Sequence, residues 1–337
     1  MIDAHNLNNE GRTAFMLRSM YSGISGLKNF QTKLDVIGNN IANVNTHGFK
    51  KGRVVFKDLM SQTTSGASSP TATRGGTNPI QIGLGSTLAT IDTVHGSGSR
   101  QNTFRGLDLA IQGEGFFMVA DGTAPNDEGV IEETGEDAFS NILYTRAGNF
   151  YMDENGYIVN SEGKYLVGVR ATDYSVDANN DNGVVLDDKP DVSGTDGENL
   201  MVDGVLTPNE GDVGTIRIPT TAQSFSIGND GSITYIDFNG QPKFAGQIIM
   251  SKFPNAGGLE KVGSNYFQAT TNSGAPYAQV ATVAGMGTIA PGALEMSNVD
   301  LSEEFTEMIV AQRGFQANTR IITTSDEILQ ELVNLKR

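Results

Sequence analysis

The chain has 337 residues, with 23 Lys and Arg against 39 Asp and Glu for a net charge of −16, and it contains neither Cys nor Trp. That length allows two or three domains at ~100–200 residues each. The missing cysteine excludes disulfides, iron–sulfur clusters, thiolate zinc sites and a cysteine nucleophile, and the acid surplus argues against nucleic acid as a partner, because phosphate affinity comes largely from Lys and Arg.

Met1 to Phe15 holds no apolar h-region, so no Sec-type signal peptide is expected. From Leu17 the apolar positions Leu17, Met20, Ile24, Leu27, Leu34 and Ile41 follow a 3/4 spacing that passes through Gln31 and Gly38. A second stripe of Leu27, Phe30, Leu34, Ile37, Ile41 and Val44 overlaps it. The pattern predicts an amphipathic helix of about 28 residues, roughly 40 Å long. Its end falls in Gly38-Asn39-Asn40 and Asn43-Val-Asn45-Thr-His-Gly48, residue types that tolerate left-handed backbone and let a helix stop and redirect. Phe49, Val54, Val55 and Phe56 would anchor that exit. Ser61 to Asn78, made largely of Ser, Thr, Gly, Ala and Pro, reads as a flexible or extended linker, taken to occupy 61–82.

Short strand-like runs separated by turn signals come next, such as Gly115 to Gly122, Asn149 to Val159 and Ser224 to Tyr235. Asn155-Gly156 and Asp230-Gly231 suit hairpin turns that need positive φ. The acid is concentrated in two loop-like stretches: Asp121 to Phe139 has seven acids and no base, and Ala171 to Gly214 has eleven acids and one base. Solvated loops or hairpin insertions account for both. At the far end Leu301, Phe305, Met308, Phe315, Ile322, Leu329 and Val333 resume the 3/4 rhythm, beside a row of Ile321, Ile328, Leu332 and Leu335. This predicts a helix of about 35 residues, or roughly 50 Å. Asn298 or Asp300 can cap it, and Glu303 and Glu304 suit its first turn. No apolar run approaches the ~18–20 residues of a membrane span, so membrane insertion is not expected.

Each terminal helix carries more apolar faces than one antiparallel pair can bury, and exposed patches of that kind mark interaction surfaces. A helical pair that simply packs on the β region is the competing arrangement. Catalytic chemistry has little to stand on. His5, His47 and His95 have no second ligand three or four residues away. Gly113-Glu-Gly115 runs into Phe116-Phe117-Met118 without a helix pattern, and no carboxylate pair is forced together. Asp177-Ala-Asn179-Asn-Asp181-Asn-Gly183 with Asp188 has the oxygen spacing of a calcium loop, but Asn182 stands where Gly is wanted and Asp188 is short for the last ligand. An acidic turn is the expectation, with no metal, no cofactor and no catalytic residue.

Five segments carry a resemblance: Met16 to Leu27, Leu34 to Lys50, Leu107 to Phe117, Tyr144 to Phe150, and Ala293 to Phe315. The Gly-Asn-Asn-Ile-Ala-Asn string at 38–43, paired with the distant Ser-Asn-Val-Asp-Leu string at 297–301, is its most specific part. They are similar to the bacterial flagellar rod/hook axial family, nearer its Gram-positive hook branch than its distal-rod branch. The resemblance covers nearly everything from Met16 onward except the acidic insertion.

It implies an α+β fold: a discontinuous helical coiled-coil domain from 16–60 and 293–337, an antiparallel β-rich domain from 83–170 and 215–292, and a small acidic insertion at 171–214. It implies a structural, non-enzymatic hook subunit that self-assembles into a helical tube, couples rod to filament and transmits torque. The distal-rod role is the alternative, and a secreted β-rich adhesin a more remote one. Partners would be copies of itself, the distal rod protein, the hook cap, the hook–filament junction proteins and the flagellar export apparatus. Its place would be the extracellular hook and basal body, reached without a cleaved signal peptide. The assembly seams would be Leu17, Ile24, Leu27, Leu34, Ile37, Ile41, Leu301, Phe305, Met308, Phe315, Ile322, Leu329 and Val333. The helix exit would be Gly38, Asn39, Asn40, Asn43, Gly48 and Phe49. Segment 61–82 is longer than in many hook proteins and resembles the rod branch, where an extra segment there stiffens the tube, whereas 171–214 resembles the outer domain of hooks. Residues 1–15 match nothing in the family and are expected to be disordered or a mis-assigned start, with Met16 as the true one; Glu10-Gly11-Arg12 can be encoded as the ribosome-binding sequence GAA-GGG-AGG.

Overall fold

The computed structural model describes residues 4–122, 139–170, 184–185, 201–202, 205–206 and 213–334. The chain divides into two units: residues 1–43, 51–94 and 299–337 form one, and 44–50 with 95–298 form the other.

The first unit pairs helix α1 (Ala4–Ala42) with helix α2 (Leu301–Asn334). Helix α1 begins earlier than the apolar pattern predicts, so residues 4–15 continue a helix and are not a disordered extension. Once a helix is nucleated, each further residue adds one backbone bond at little cost, which lets the polar stretch before Met16 join it. At its other end Asn43 donates both its backbone N–H (3.1 Å) and its side-chain amide (2.9 Å) to the Asn39 carbonyl, which occupies an otherwise orphaned acceptor. Helix α2 is capped by Asp300, whose carboxylate accepts from the Ser302 N–H at 2.8 Å, and Glu303 and Glu304 face the positive helix end.

The helices run antiparallel, since contacts at Gly23, Gly26, Phe30, Lys33 and Asn40 meet Ile322, Asn318, Gly314, Glu307 and Glu304 in turn. The covered line on α2 is Glu304, Met308, Ala311, Phe315, Asn318, Ile322, Ser325 and Leu329, a strict alternation of four and three residues. Glycine makes the close approach possible: a Cβ at Gly314 would lie 2.5 Å from the Phe30 ring.

Strands β1 (Gly52–Asp58), β2 (Ser61–Ser65), β3 (Ile80–Gly83) and β4 (Ser86–Thr93) complete this unit. β1 pairs with β4 and β2 with β3, both antiparallel, so 52–93 is one long ribbon. Segment 61–82 is therefore a paired arm and not a linker. The Ser68 and Thr77 hydroxyls bond at 2.8 Å, Gln81 donates to Thr63, and Thr71 and Arg74 close the tip. A Ser/Thr-rich composition reads as flexible because it lacks an apolar face, yet its backbone groups and hydroxyls still form a ladder.

The second unit holds β5 (Arg100–Asn102), β6 (Leu109–Gln112), β7 (Phe116–Gly122), β8 (Phe139–Thr145), β9 (Tyr151–Met152), β10 (Ile158–Val159), β11 (Tyr165–Arg170), β12 (Val184–Val185), β13 (Met201–Val202), β14 (Val205–Leu206) and β15 (Val213–Thr215). It continues with β16 (Ser224–Ile227), β17 (Ser232–Ile236), β18 (Pro242–Lys252), β19 (Glu260–Gly263), β20 (Tyr266–Gln268), β21 (Tyr277–Val280), β22 (Thr288–Pro291) and β23 (Ala293–Glu295). The main sheet runs β16-β17-β18-β11-β7-β8-β20-β19, and all its pairings are antiparallel. Asn155-Gly156 and Asp230-Gly231 sit in tight turns, with φ of +91° and +80° at the glycines. Both faces of the sheet are filled. Phe117, Val119, Leu166, Ile248 and Met250 pack on one side, and Phe116, Met118, Val167, Val169 and Ile249 on the other. Burial on both faces explains why β7 reads as a continuous apolar run.

The unit boundaries differ from the sequence reading in two places. Residues 83–94 belong with the helices, as the returning strand of the ribbon, and 293–298 belong with the second unit, where β23 pairs with β5 in a two-stranded sheet of its own.

Candidate assembly interface

Of the expected seam residues, Ile37 is buried and Leu27, Leu34, Ile41, Met308, Phe315, Ile322 and Leu329 are half-buried between or beside the helices. Ile24, Leu301, Phe305 and Val333 are exposed, Phe305 at 50%. The side chain of Leu17 lies outside the described residues. With a 3.5-residue repeat, exposed apolar residues of α2 fall on both flanks of its covered line, Phe305 and Ile309 on one and Val310, Ile321 and Ile328 on the other, while Leu301 is the exposed first step of the line itself. On the ribbon, Met60 is 85% and Ile80 62% exposed. Large apolar side chains left exposed in this way are what interaction surfaces carry.

The helix-exit residues divide by role. Gly38 sits inside α1 with open space where a Cβ would be, so the redirection expected of it does not occur there. Asn40 is a hub: its amide brackets Gly52, accepting the N–H and donating to the C=O at 2.9 Å each, and donates to Glu304 at 3.2 Å. It thereby ties α1 to both the ribbon and α2. The turn comes at Gly48, whose φ is +71° and whose Cβ position is 2.6 Å from the Ala147 nitrogen, so only glycine fits. Its N–H donates to the Glu295 carbonyl at 2.8 Å. Phe49 is half-buried beneath the Lys261 ammonium, 5.0 Å from the ring centre. Val54 and Phe56 are half-buried in β1 and Val55 is exposed.

Sequence reasoning missed a buried charge cluster beside this turn. Glu295, 1% exposed, accepts from Lys50 Nζ at 2.7 Å, Arg146 at 3.2 Å and the Gly98 N–H at 3.0 Å. Lys50 also donates to the Gly96 carbonyl, and Arg146 to Gly113. Burial draws the Lys50 and Arg146 pKa values down, and the Glu295 charge opposes it. His95 packs edge-on against Phe116 and Phe267, and burial, then the Lys50 and Arg146 charges, lower its pKa to about 4. The signal that could have found the cluster is weak: Lys50 borders the exit from α1 and Glu295 the approach to α2, but 245 residues separate them.

Among the described residues no group of three or more His, Cys, Asp or Glu is placed to hold a metal ion, and no helix is long and apolar enough to cross a membrane. The calcium-like loop at 177–188 lies outside the described residues apart from Val184 and Val185.

These features define a class: α+β proteins whose two chain ends build one helical unit while the middle builds a separate, fully packed sheet. Three family profiles match: "Flagella basal body rod protein" over residues 20–50, "Flagellar hook protein FlgE/F/G D1 domain" over 110–235, and "Flagellar basal body rod FlgEFG protein C-terminal" over 290–335. The flagellar basal-body rod protein FlgG of Bacillus subtilis is 51% identical over 96% of this chain and all of its own length. The flagellar hook protein FlgE of Borreliella burgdorferi is 33% identical over 95% of this chain and all of its own, and FlgG of the same organism 34% over 96% and 100%. A crystal structure of Helicobacter pylori flagellar hook protein FlgE2 matches at a TM-score of 0.35 and 11% identity, over 56% of this chain and 98% of that one, too slight a likeness to bear on the fold. The chain belongs to the flagellar rod and hook protein family, and it is a structural protein of the flagellum.

Proposed function

We propose that this chain polymerises with copies of itself into the axial tube of a flagellum, in a rod-type position. The observation that carries polymerisation is the apolar surface left on both flanks of α2 and along the ribbon, which a second and third copy would cover. A heterologous contact of that kind, repeated without closing a ring, generates a helical polymer. The alternating four-and-three spacing on α2 supports a coiled-coil reading of the terminal helices, with Phe305, Ile309 and Ile321 facing neighbours.

The rod position rests on likeness along the whole chain. The rod relative at 51% aligns over 325 residues. The hook relative needs an alignment of 458, more positions than this chain has residues, so it carries segments this chain lacks. The paired ribbon at 52–93 supports the same position, as a stiff arm between neighbours. The hook role, coupling rod to filament and bending while it transmits torque, is the second reading, favoured by the hook proteins that align at 33% and 30%. Proposed partners are copies of itself, neighbouring rod, hook and junction components, and the flagellar export apparatus that would carry the chain out without a cleaved signal.

Electron micrographs of the purified full chain under polymerising conditions test this. Straight tubes are expected. Curved tubes would move the assignment to the hook, and a chain that stays monomeric at high concentration would overturn polymerisation altogether.

A further inference from the structure

The Lys50–Glu295–Arg146 cluster joins three distant parts of the second unit. Lys50 ends the segment that follows α1, Glu295 ends β23 just ahead of α2, and Arg146 follows β8. The packing around it leaves no slack. A Cβ at Gly98 would lie 2.0 Å from the Met296 carbonyl oxygen, and one at Gly148 would lie 1.7 Å from that of Leu109. Backbone bonds converge on the same spot: Gly48 N–H to Glu295 O, Met296 N–H to Ser99 O, and Gly98 N–H to the Glu295 carboxylate. The cluster is unbalanced, with two buried cations for one buried carboxylate. Burying either cation without its partner is strongly unfavourable.

We propose that Glu295 is a latch: its carboxylate seats Lys50, Arg146 and the Gly98 N–H and so holds, in one step, segments 44–50 and 95–98 against the rest of the second unit. With Glu295 withdrawn, the cheapest response is for both cations to return to water. That move pulls 44–50 and 95–98 off the sheet while the interior strands β11 and β18, which Glu295 does not touch, stay formed. The two segments are therefore held through one carboxylate at the end of β23.

Hydrogen exchange on the full chain tests the latch. Glu295→Gln is expected to weaken protection at the Gly48 and Met296 amides together, by about 100-fold, while amides such as Val169 and Ile248 change little. Lys50→Met, which leaves one cation with one carboxylate, is expected to cost those two amides less than about 10-fold. The triple change Lys50→Met, Arg146→Met, Glu295→Leu removes the imbalance and is expected to restore their protection. This variant decides the matter even if Glu295→Gln unfolds the chain. Unchanged Gly48 and Met296 amides in Glu295→Gln, an effect of Lys50→Met as large as that of Glu295→Gln, or no recovery in the triple variant would each overturn the proposal.

Discussion

The two units of this chain solve the same problem in opposite ways. The sheet fills both of its faces from within, Phe116 and Met118 on one and Phe117 and Val119 on the other, so its apolar side chains are spent internally. In the helical unit α1 is covered by both α2 and the ribbon, but α2 is covered along one line only, and Phe305, Ile309, Ile321, Ile328 and the ribbon's Met60 and Ile80 stay exposed. The difference teaches that fold stability and surface stickiness are kept in separate parts of the molecule. A substitution should therefore change one and spare the other.

The largest effect is expected inside the sheet. Phe117 is fully buried and meets Phe150 edge-on at 5.4 Å, so Phe117→Ala should cost about 3–5 kcal/mol. Chemical denaturation followed by a probe in the second unit measures it, and a loss below 1 kcal/mol would break the contrast. Next is Gly48→Ala, which combines a left-handed φ with a clash against the Ala147 backbone. We expect a loss of about 2–3 kcal/mol in the same measurement.

Acid sharpens the contrast further. His95 titrates near 4 in the folded chain against about 6.5 when unfolded, so between those values the unfolded state binds the extra proton. Stability should fall as pH drops from about 6.5 to 4, by at most about 3 kcal/mol from this group, and be unaffected by it above that window. The charges facing it are Lys50, Arg146 and Lys261. His95→Gln should flatten the slope in denaturation midpoints measured across pH, and an unchanged slope would discard this account. The smallest stability effect belongs to the helical surface. Phe305→Ala should move monomer stability by no more than about 0.5 kcal/mol, yet cut polymer yield in sedimentation assays. A monomer destabilised as much as by Phe117→Ala would erase the division of labour.

What could be read from the residues tracks sequence distance. The two helices, the Asp300 cap, the turns at Gly156 and Gly231 and the redirection at Gly48 are local events, encoded in spacing and in residues that tolerate positive φ. The ribbon was hidden because its ladder is held by backbone groups and hydroxyls, and a Ser/Thr/Gly-rich segment gives the same composition whether paired or loose. The start of α1 was misplaced because its first turns continue the helix without an apolar stripe. The Lys50–Glu295–Arg146 cluster was nearly illegible, since little in a linear chain announces that positions 50, 146 and 295 will share one buried spot.

One small feature sets a length. Gly314 is the sole glycine of α2, and the Phe30 ring rests on it. Sliding one helix past the other by a single turn, about 5.4 Å, would drive that ring into the side chains around Val310 and Ala311 or around Ala317 and Asn318. The pair thus has one notch, like a key cut for one depth, and every copy of the chain must present its helical ends at the same offset. Uniform building blocks of that sort are what the proposed tube would demand.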